Sequence, residues 1–528
     1  MQKNKLQIWL PVLLSLAMIA GMFIGFKMRD KFPGKFFFNN EKKNSIDEVM
    51  ELVNTKYVDE IDGTVLRDTA ISAMLGKLDP HSVYIPSEEM EINKEELQGN
   101  FYGIGIEFDY YNDTLFVVNI LKNSPAEKSR FQIGDKIIKA DGKNLVGKKD
   151  DISYIKNIIR GKKETRLSLE IVRNGQPLTL SVSRDIVSVS SVVSSYMINP
   201  STGYIRLDKF TQKTYREFMM SLDSLKKLGM KKMILDLRGN GGGILDEAVD
   251  IADEFIDGDK LITYTVGKHS PKKEYRCKRA GQFEKEPLIV LADETSASAS
   301  EVLLGALQDW KRAVIVGRRS FGKGLVQDQF ELSDGSGLRL TVARYFTPKG
   351  RSIQRSYANG EKAYYEEIEN RILNGETDPR VKGKLDSSGK IANPSGDTMY
   401  QHGGILPDYY VPVDTTRFSL NAKKLIRNGV VRRYGFSLFA LSPSLKLNYP
   451  NTRSFASGFR LNDKDFLNLQ ALASKDSVQL SKLTEAEKKY IEKYIKANAA
   501  RYYWDDNAYF EMLNEDDSDI KKALELLK

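Results

Sequence analysis

The feature that most constrains this 528-residue chain is a pattern repeated between residues 187 and 354: an apolar run, a turn of small residues, then an amphipathic stretch. "MKKMILDLRGNGGGILDEAVDIADEFI" shows it once and "EPLIVLADETSASASEVLLGALQDW" shows it again. "RAVIVGRRSFGKGLVQDQFEL" opens with a further buried strand. Strand, tight loop and returning helix predict an α/β core whose strands end in loops along one edge, the edge where such folds gather their chemistry. Both the Gly-rich turn and the Ser-rich turn belong to that edge.

Composition narrows the chemistry. At 41% hydrophobic and 29% charged residues, a chain of this length divides into several domains. Its 80 basic and 71 acidic side chains are mixed along the sequence, so the net charge of +9 describes a solvated surface and no nucleic-acid partner is expected. Cys277 stands alone, which removes disulfides and thiolate clusters and marks an inert thiol. His81, His269 and His402 are widely separated with no H-x-x-x-H pair, so neither a metal nor another cofactor is expected. A hydrolase built here needs a base other than histidine.

Residues 6–26 carry no formal charge, and 21 positions make about 31 Å of helix, the depth of a bilayer core. Residues 1–27 are therefore expected to be an uncleaved membrane anchor, since no A-x-A site precedes "KMRDKFPGK". Lys3 and Lys5 against Lys27, Arg29, Lys31 and Lys35 leave orientation open, and only the short N-terminal flank argues that the large remainder is exported. Residues 44–97 read as amphipathic helices, with Ile46, Val49, Leu52 and Val53 on one stripe. From 98 to 184 the period changes to short β-branched runs with Gly and Asn-Asp turns. Within it "YGIGIEF", followed by "IGDKIIKADG", resembles a PDZ domain. There Tyr102, Gly103, Ile104, Gly105 and Ile106 would hold a terminal carboxylate on successive backbone N–H groups and pair a peptide along the strand edge. The core is expected over 187–412, and residues 413–528 read as helices suited to packing or self-association.

Two motifs compete at Lys323. "GRRSFGK" has the spacing of a phosphate-binding loop, but Gly324 stands where a magnesium-binding Ser or Thr is required. "SFGK" is an S-x-x-K match, as are "SLKK" and "SPKK", with no K-T-G to accompany any of them.

A third reading takes the motifs together. "LDLRGNGGG", "TSASASE" and "FGKGLVQ" behind the PDZ-like module, with "GKLDPHSVYIP" before it and "HGGILPD" after, resemble the C-terminal processing peptidases, or tail-specific proteases, over residues 45–412. The resemblance implies a clpP/crotonase-like α/β protease core with an inserted PDZ domain. It implies a serine endopeptidase that cleaves protein or peptide substrates near free C-termini through an acyl-enzyme. Ser298 would be the nucleophile, Lys323 the base and Gln327 the residue that orients the lysine. Oxyanion donors would be Ala299 N–H and a glycine N–H, Gly243 first and Gly242 next. The PDZ module would bind substrate C-termini or gate the site. A homo-oligomer, an adaptor partner and attachment to the exported, periplasmic side of a bacterial inner membrane also follow from it.

The residue types suit that chemistry. A serine hydroxyl is a weak nucleophile until a neighbouring base takes its proton, and a lysine with a reference pKa of about 10.4 serves only if burial removes about three units. Phe321, Leu325 and Val326 flank Lys323, and Gln327 adds no negative charge that would keep it protonated. Ser296 and Ser300 read as turn and helix-start residues, and Glu301 as a first-turn acid favoured by the helix dipole. Arg238 and Asn240 read as braces of the oxyanion loop, His81 as a packed residue, and Arg160 as a contact between module and core. The alternative is a membrane-anchored PDZ scaffold with an inactive core, which has no need of Ser298, Lys323 and Gln327 together.

Overall fold

A computed structural model of the chain describes residues 5–31, 44–111, 113–148, 151–374, 390–392, 398–400, 403–413, 420–442, 444–475 and 483–528. His402, the first residue of "HGGILPD", lies outside them. The chain packs as two units, Met1–Ile71 and Ser72–Lys528.

The first unit holds helices Lys5–Lys31 and Ser45–Lys56. Asn44 starts the second by accepting the Ile46 N–H at 3.3 Å, and none of this helix's residues is buried. The expected membrane anchor and single-pass membrane location are overturned here: no helix among the described residues is long and apolar enough to cross a membrane. The placement on the exported side of an inner membrane falls with the anchor.

In the second unit the apolar runs become a six-stranded sheet in the order Val192–Asn199, Thr202–Leu207, Lys232–Asp236, Leu288–Ala292, Val314–Gly317, Tyr409–Tyr410. The first pair is an antiparallel hairpin and all later neighbours are parallel. Strand alternation buries both faces. Met233, Leu235, Leu288 and Val290 join a core with helices Thr214–Lys227, Leu245–Asp253 and Ala299–Asp309, while Ile234, Ile289 and Leu291 pack on Ile520, Ala523 and Leu527. Helix Ser518–Leu526 therefore completes the sandwich. A second sheet runs Val83–Ile85, Gly337–Phe346, Leu261–Val266, Lys273–Arg276, with Leu325–Glu331 also paired to Gly337–Phe346. The segment read as purely helical over 44–97 thus donates Val83–Ile85 to the core, a strand too short to show its period.

The β-rich module is a sheet of Ile106–Tyr111, Thr114–Ile120, Lys136–Ala140, Arg166–Arg173 and Gln176–Ser183, with Lys143–Asn144 paired to the third. Helix Ile152–Ile159 closes its own apolar core of Ile104, Leu115, Val117, Ile137, Leu167 and others. Asn100–Gly103 pairs antiparallel with Asp185–Ser188, so the module's two ends zip together where it leaves and rejoins the chain. Phe116 and Val118 on its outer face meet Phe436 and Tyr502 of the helical region, and Asp109 and Glu107 pair with Arg432 at 3.0 Å and Arg501 at 3.2 Å.

Candidate active site

Strand Leu288–Ala292 ends in the Ser-rich turn, and helix Ala299–Asp309 begins directly after Ser298. Ser298 has φ 56° and ψ −114°, which a non-glycine residue rarely adopts, and the Ser300 N–H donates to Ala297 O across it at 3.1 Å. Those are the features of a type II′-like turn with serine at the position glycine favours. Such a turn lifts the side chain out of the helix line and presents it at the sheet edge, as in nucleophile elbows.

Three loops are fastened around this turn. Ser296 Oγ donates to Leu237 O at 2.9 Å, Ser300 Oγ to Asn240 O at 3.0 Å and the Ala297 N–H to Asn240 O at 3.0 Å, joining the Ser-rich turn to the Gly-rich one. Ser296 and Ser300 thus do more than shape their own turn. The Phe321 N–H donates to Ser296 O at 2.9 Å and brings in the loop of Lys323. The Tyr345 hydroxyl lies against the carbonyl of Lys323 and 3.0 Å from that of Ser298.

Glu301 is the hub. Fully buried, its carboxylate accepts the N–H of Ser298 at 2.9 Å, of Gly322 at 2.7 Å and of Lys323 at 2.8 Å, and the Ser320 hydroxyl at 2.6 Å. Burial raises its pKa to about 7 in spite of those donors. Its place in the first turn of Ala299–Asp309 accounts only for an acid favoured by the helix dipole. The available signal was Ser298-x-x-Glu301, the capping-box spacing, which places the carboxylate at the Ser298 N–H.

Ser298, Ala299, Lys323, Gln327, Gly242 and Gly243 line one cleft of about 570 Å³. Lys323 is lowered from 10.5 to about 8, first by burial and then by the charge of Arg339. Among the described residues no hydrogen bond or ion pair engages its amine. Gln327 donates its amide to Thr341 Oγ1 at 3.3 Å rather than to the lysine. Gly242 spends its N–H on Asn240 Oδ1 at 2.9 Å, whereas the Gly243 and Ala299 N–H groups have no acceptor among the described residues. A Cβ on Gly242 would lie 2.6 Å from Ala297 O, so only glycine lets the loop approach the Ser298 turn this closely.

Arg238 forks onto Asp236 at 3.0 and 2.7 Å and reaches Asp517 at 3.0 Å and Asp519 at 2.8 Å, tying the Gly-rich loop to the start of helix Ser518–Leu526. His81 is packed edge-on against Tyr364, whose hydroxyl is 3.0 Å from Nε2, and burial lowers it to about 4. Cys277 is buried and raised to about 11, also by burial. In the module, the Tyr102 N–H is taken by Glu95 at 3.0 Å and Gly103 lies in the end-zipping strand pair. Ile104 is fully buried, Gly105 turns at φ 82°, and Ile106 opens an edge strand. Arg160 lies 4.9 Å over the Phe101 ring and 3.7 Å from Glu95.

Comparison with known proteins gives this arrangement its relatives. Residues 201–360 match peptidase family S41, residues 103–183 a PDZ domain, and residues 422–505 a family of unknown function. A carboxy-terminal-processing protease of Bartonella bacilliformis is 37% identical over 58% of this chain and 71% of its own length. The carboxy-terminal processing protease CtpA of Bacillus subtilis is 32% identical over 69% and 74%. A solved photosystem II D1 C-terminal processing protease is 28% identical over 59% of this chain and 84% of its own, with a TM-score of 0.35. The chain belongs to peptidase family S41, among the carboxy-terminal-processing serine proteases.

Proposed function

We propose that the chain hydrolyses protein substrates near their C-termini through a Ser298–Lys323 dyad. The observation that carries this reading is the buried Glu301 carboxylate, which holds the backbone of both residues at one cleft. In the proposed reaction neutral Lys323 takes the Ser298 proton as Oγ attacks the scissile carbonyl. The resulting oxyanion is met by the Gly243 and Ala299 N–H groups. Lys323 returns the proton to the departing amine, leaving an acyl-enzyme ester. A water then gives its proton to Lys323, attacks the ester, and Ser298 is reprotonated as the acid leaves. Gln327, its nitrogen engaged with Thr341, keeps its carbonyl oxygen to aim the amine.

The module over 98–184 takes substrate C-termini along the open edge of Ile106–Tyr111, with 187–412 as the protease core and 413–528 as a helical region. Self-association and an adaptor partner belong to the same proposal. The test is cleavage of an unstructured protein with an apolar tail by the full chain and by its Ser298→Ala and Lys323→Ala variants. Loss in both supports the dyad, undiminished cleavage by either refutes it, and no cleavage by any form points to a missing activator or to a scaffold.

A further inference from the structure

Arg339 faces the same cleft as Ser298 and Lys323. It sits on Gly337–Phe346 directly opposite Gln329 of Leu325–Glu331, and opposed residues of an antiparallel pair share a face. Gln327, two residues along, also lines the cleft, so one side of this ribbon presents Gln327, Gln329 and Arg339 to it. One Arg339 nitrogen donates to Asn93 Oδ1 at 2.9 Å. Among the described residues no carboxylate pairs with the guanidinium. Three acids line the cleft, Glu96, Asp208 and Asp328, and Glu96 is engaged by Lys209 at 3.0 Å. Gln329 Oε1 is buried without a donor, its amide nitrogen lying 3.7 Å from Met90 Sδ.

A guanidinium with spare donors beside an acceptor with no donor is complementary to one chemical group above others: the last residue of a peptide, which offers a carboxylate and an N–H side by side. Gln329 Oε1, buried at the cleft wall without a donor, would gain one from the N–H of such a residue once its side chain turns toward the cleft. Resting on the proposed protease reading, we infer that Arg339, with Gln329 and Asn93, forms a subsite in the catalytic cleft for the terminal carboxylate of the segment being released. The cleft then reads the substrate's C-terminus at the point of cleavage, in addition to any reading by the PDZ module.

The test uses the full chain and one short, internally quenched peptide with an apolar tail, ending either in a free carboxylate or in an amide. The native chain is expected to favour the free acid in kcat/KM by roughly ten- to a hundredfold, the worth of a charged hydrogen bond. In Arg339→Gln the two peptides converge, while Arg339→Lys, which keeps charge without the fork, retains part of the preference. Binding of the same two peptides to Ser298→Ala and Ser298→Ala/Arg339→Gln chains, by fluorescence anisotropy, separates the subsite from the chemistry. If nothing is cleaved but the free acid binds more tightly and Arg339→Gln removes that difference, the protease reading fails and the subsite stands. A preference untouched by Arg339→Gln places carboxylate reading in the PDZ groove and overturns the inference. So does the absence of any preference in the native chain.

Discussion

Lys323 is the residue whose replacement tells most, because the fold is built to disfavour its charge. A shift from 10.5 to about 8, at about 1.36 kcal/mol per unit, makes the protonated lysine a burden of at most about 3 kcal/mol on folding. Below pH 8 the amine is charged in both folded and unfolded chains and the burden is complete. Between about pH 8 and 10.5 the folded chain releases the proton first, so stability rises with pH, and above 10.5 the burden is gone. Lys323→Met places a flexible apolar side chain in the same space. It is expected to be more stable than the native chain by up to about 3 kcal/mol at pH 7, a gap that closes as pH approaches 10.5, while activity disappears. The assay is urea unfolding followed by Trp310 fluorescence in a Trp9→Phe/Trp504→Phe background. Trp310 packs on the core at the end of Ala299–Asp309 and donates to Leu261 O at 2.8 Å, so it reports this domain. A Met variant equal to or less stable than the native chain at pH 7, or a gap that persists at high pH, refutes the argument.

Further outcomes follow from the same geometry. The pH profile of kcat/KM has its rising limb near pH 8, and Arg339→Gln moves that limb to higher pH by removing a like charge; a limb near 6.5 would point to histidine and refute the assignment. Glu301→Gln sets an amide N–H₂ against backbone donors that need an acceptor, and is expected to lower kcat at least tenfold and cost about 1–3 kcal/mol of core stability, read by kinetics and urea unfolding. Asp517→Asn with Asp519→Asn strips carboxylates from Arg238 and is expected to lower kcat with little change in KM, and to raise hydrogen exchange across residues 236–243. Phe436→Ala opens the aromatic contact with Phe116 and is expected to cost roughly 3 kcal/mol and raise exchange in strand Thr114–Ile120.

What could be read in the sequence was local. Strands such as Leu288–Ala292 announce themselves as apolar runs because alternate residues are buried on opposite faces, and the turns after them show as small residues. Ser298 and Lys323, the residues proposed for the dyad, stand out in the sequence because each sits in a motif contained within its own loop. What failed was length and masking by chemistry of another kind: Val83–Ile85 is too short to display a period, and the apolar stretch over residues 6–26 reads as a span although no described helix meets the length and apolarity a span requires.

The unread part of the site consists of groups whose meaning depends on partners far away in sequence. Asp517 and Asp519 look like ordinary acids opening a helix, where the macrodipole favours them, and nothing nearby indicates that Arg238, 279 and 281 residues away, is their counterion. Arg339 looks like one polar residue of a half-exposed strand until its pairing with Gln329 turns it into the cleft. Both cases put charge where the loops of a protease must be held still or kept electropositive. The helix that carries the two aspartates also buries Ile520, Ala523 and Leu527 on the far face of the catalytic sheet, so its docking and the posture of the Gly-rich loop are one structural event. A perturbation that lifts this helix must release Arg238 and disturb the loop bearing Gly243, without touching any residue in the cleft.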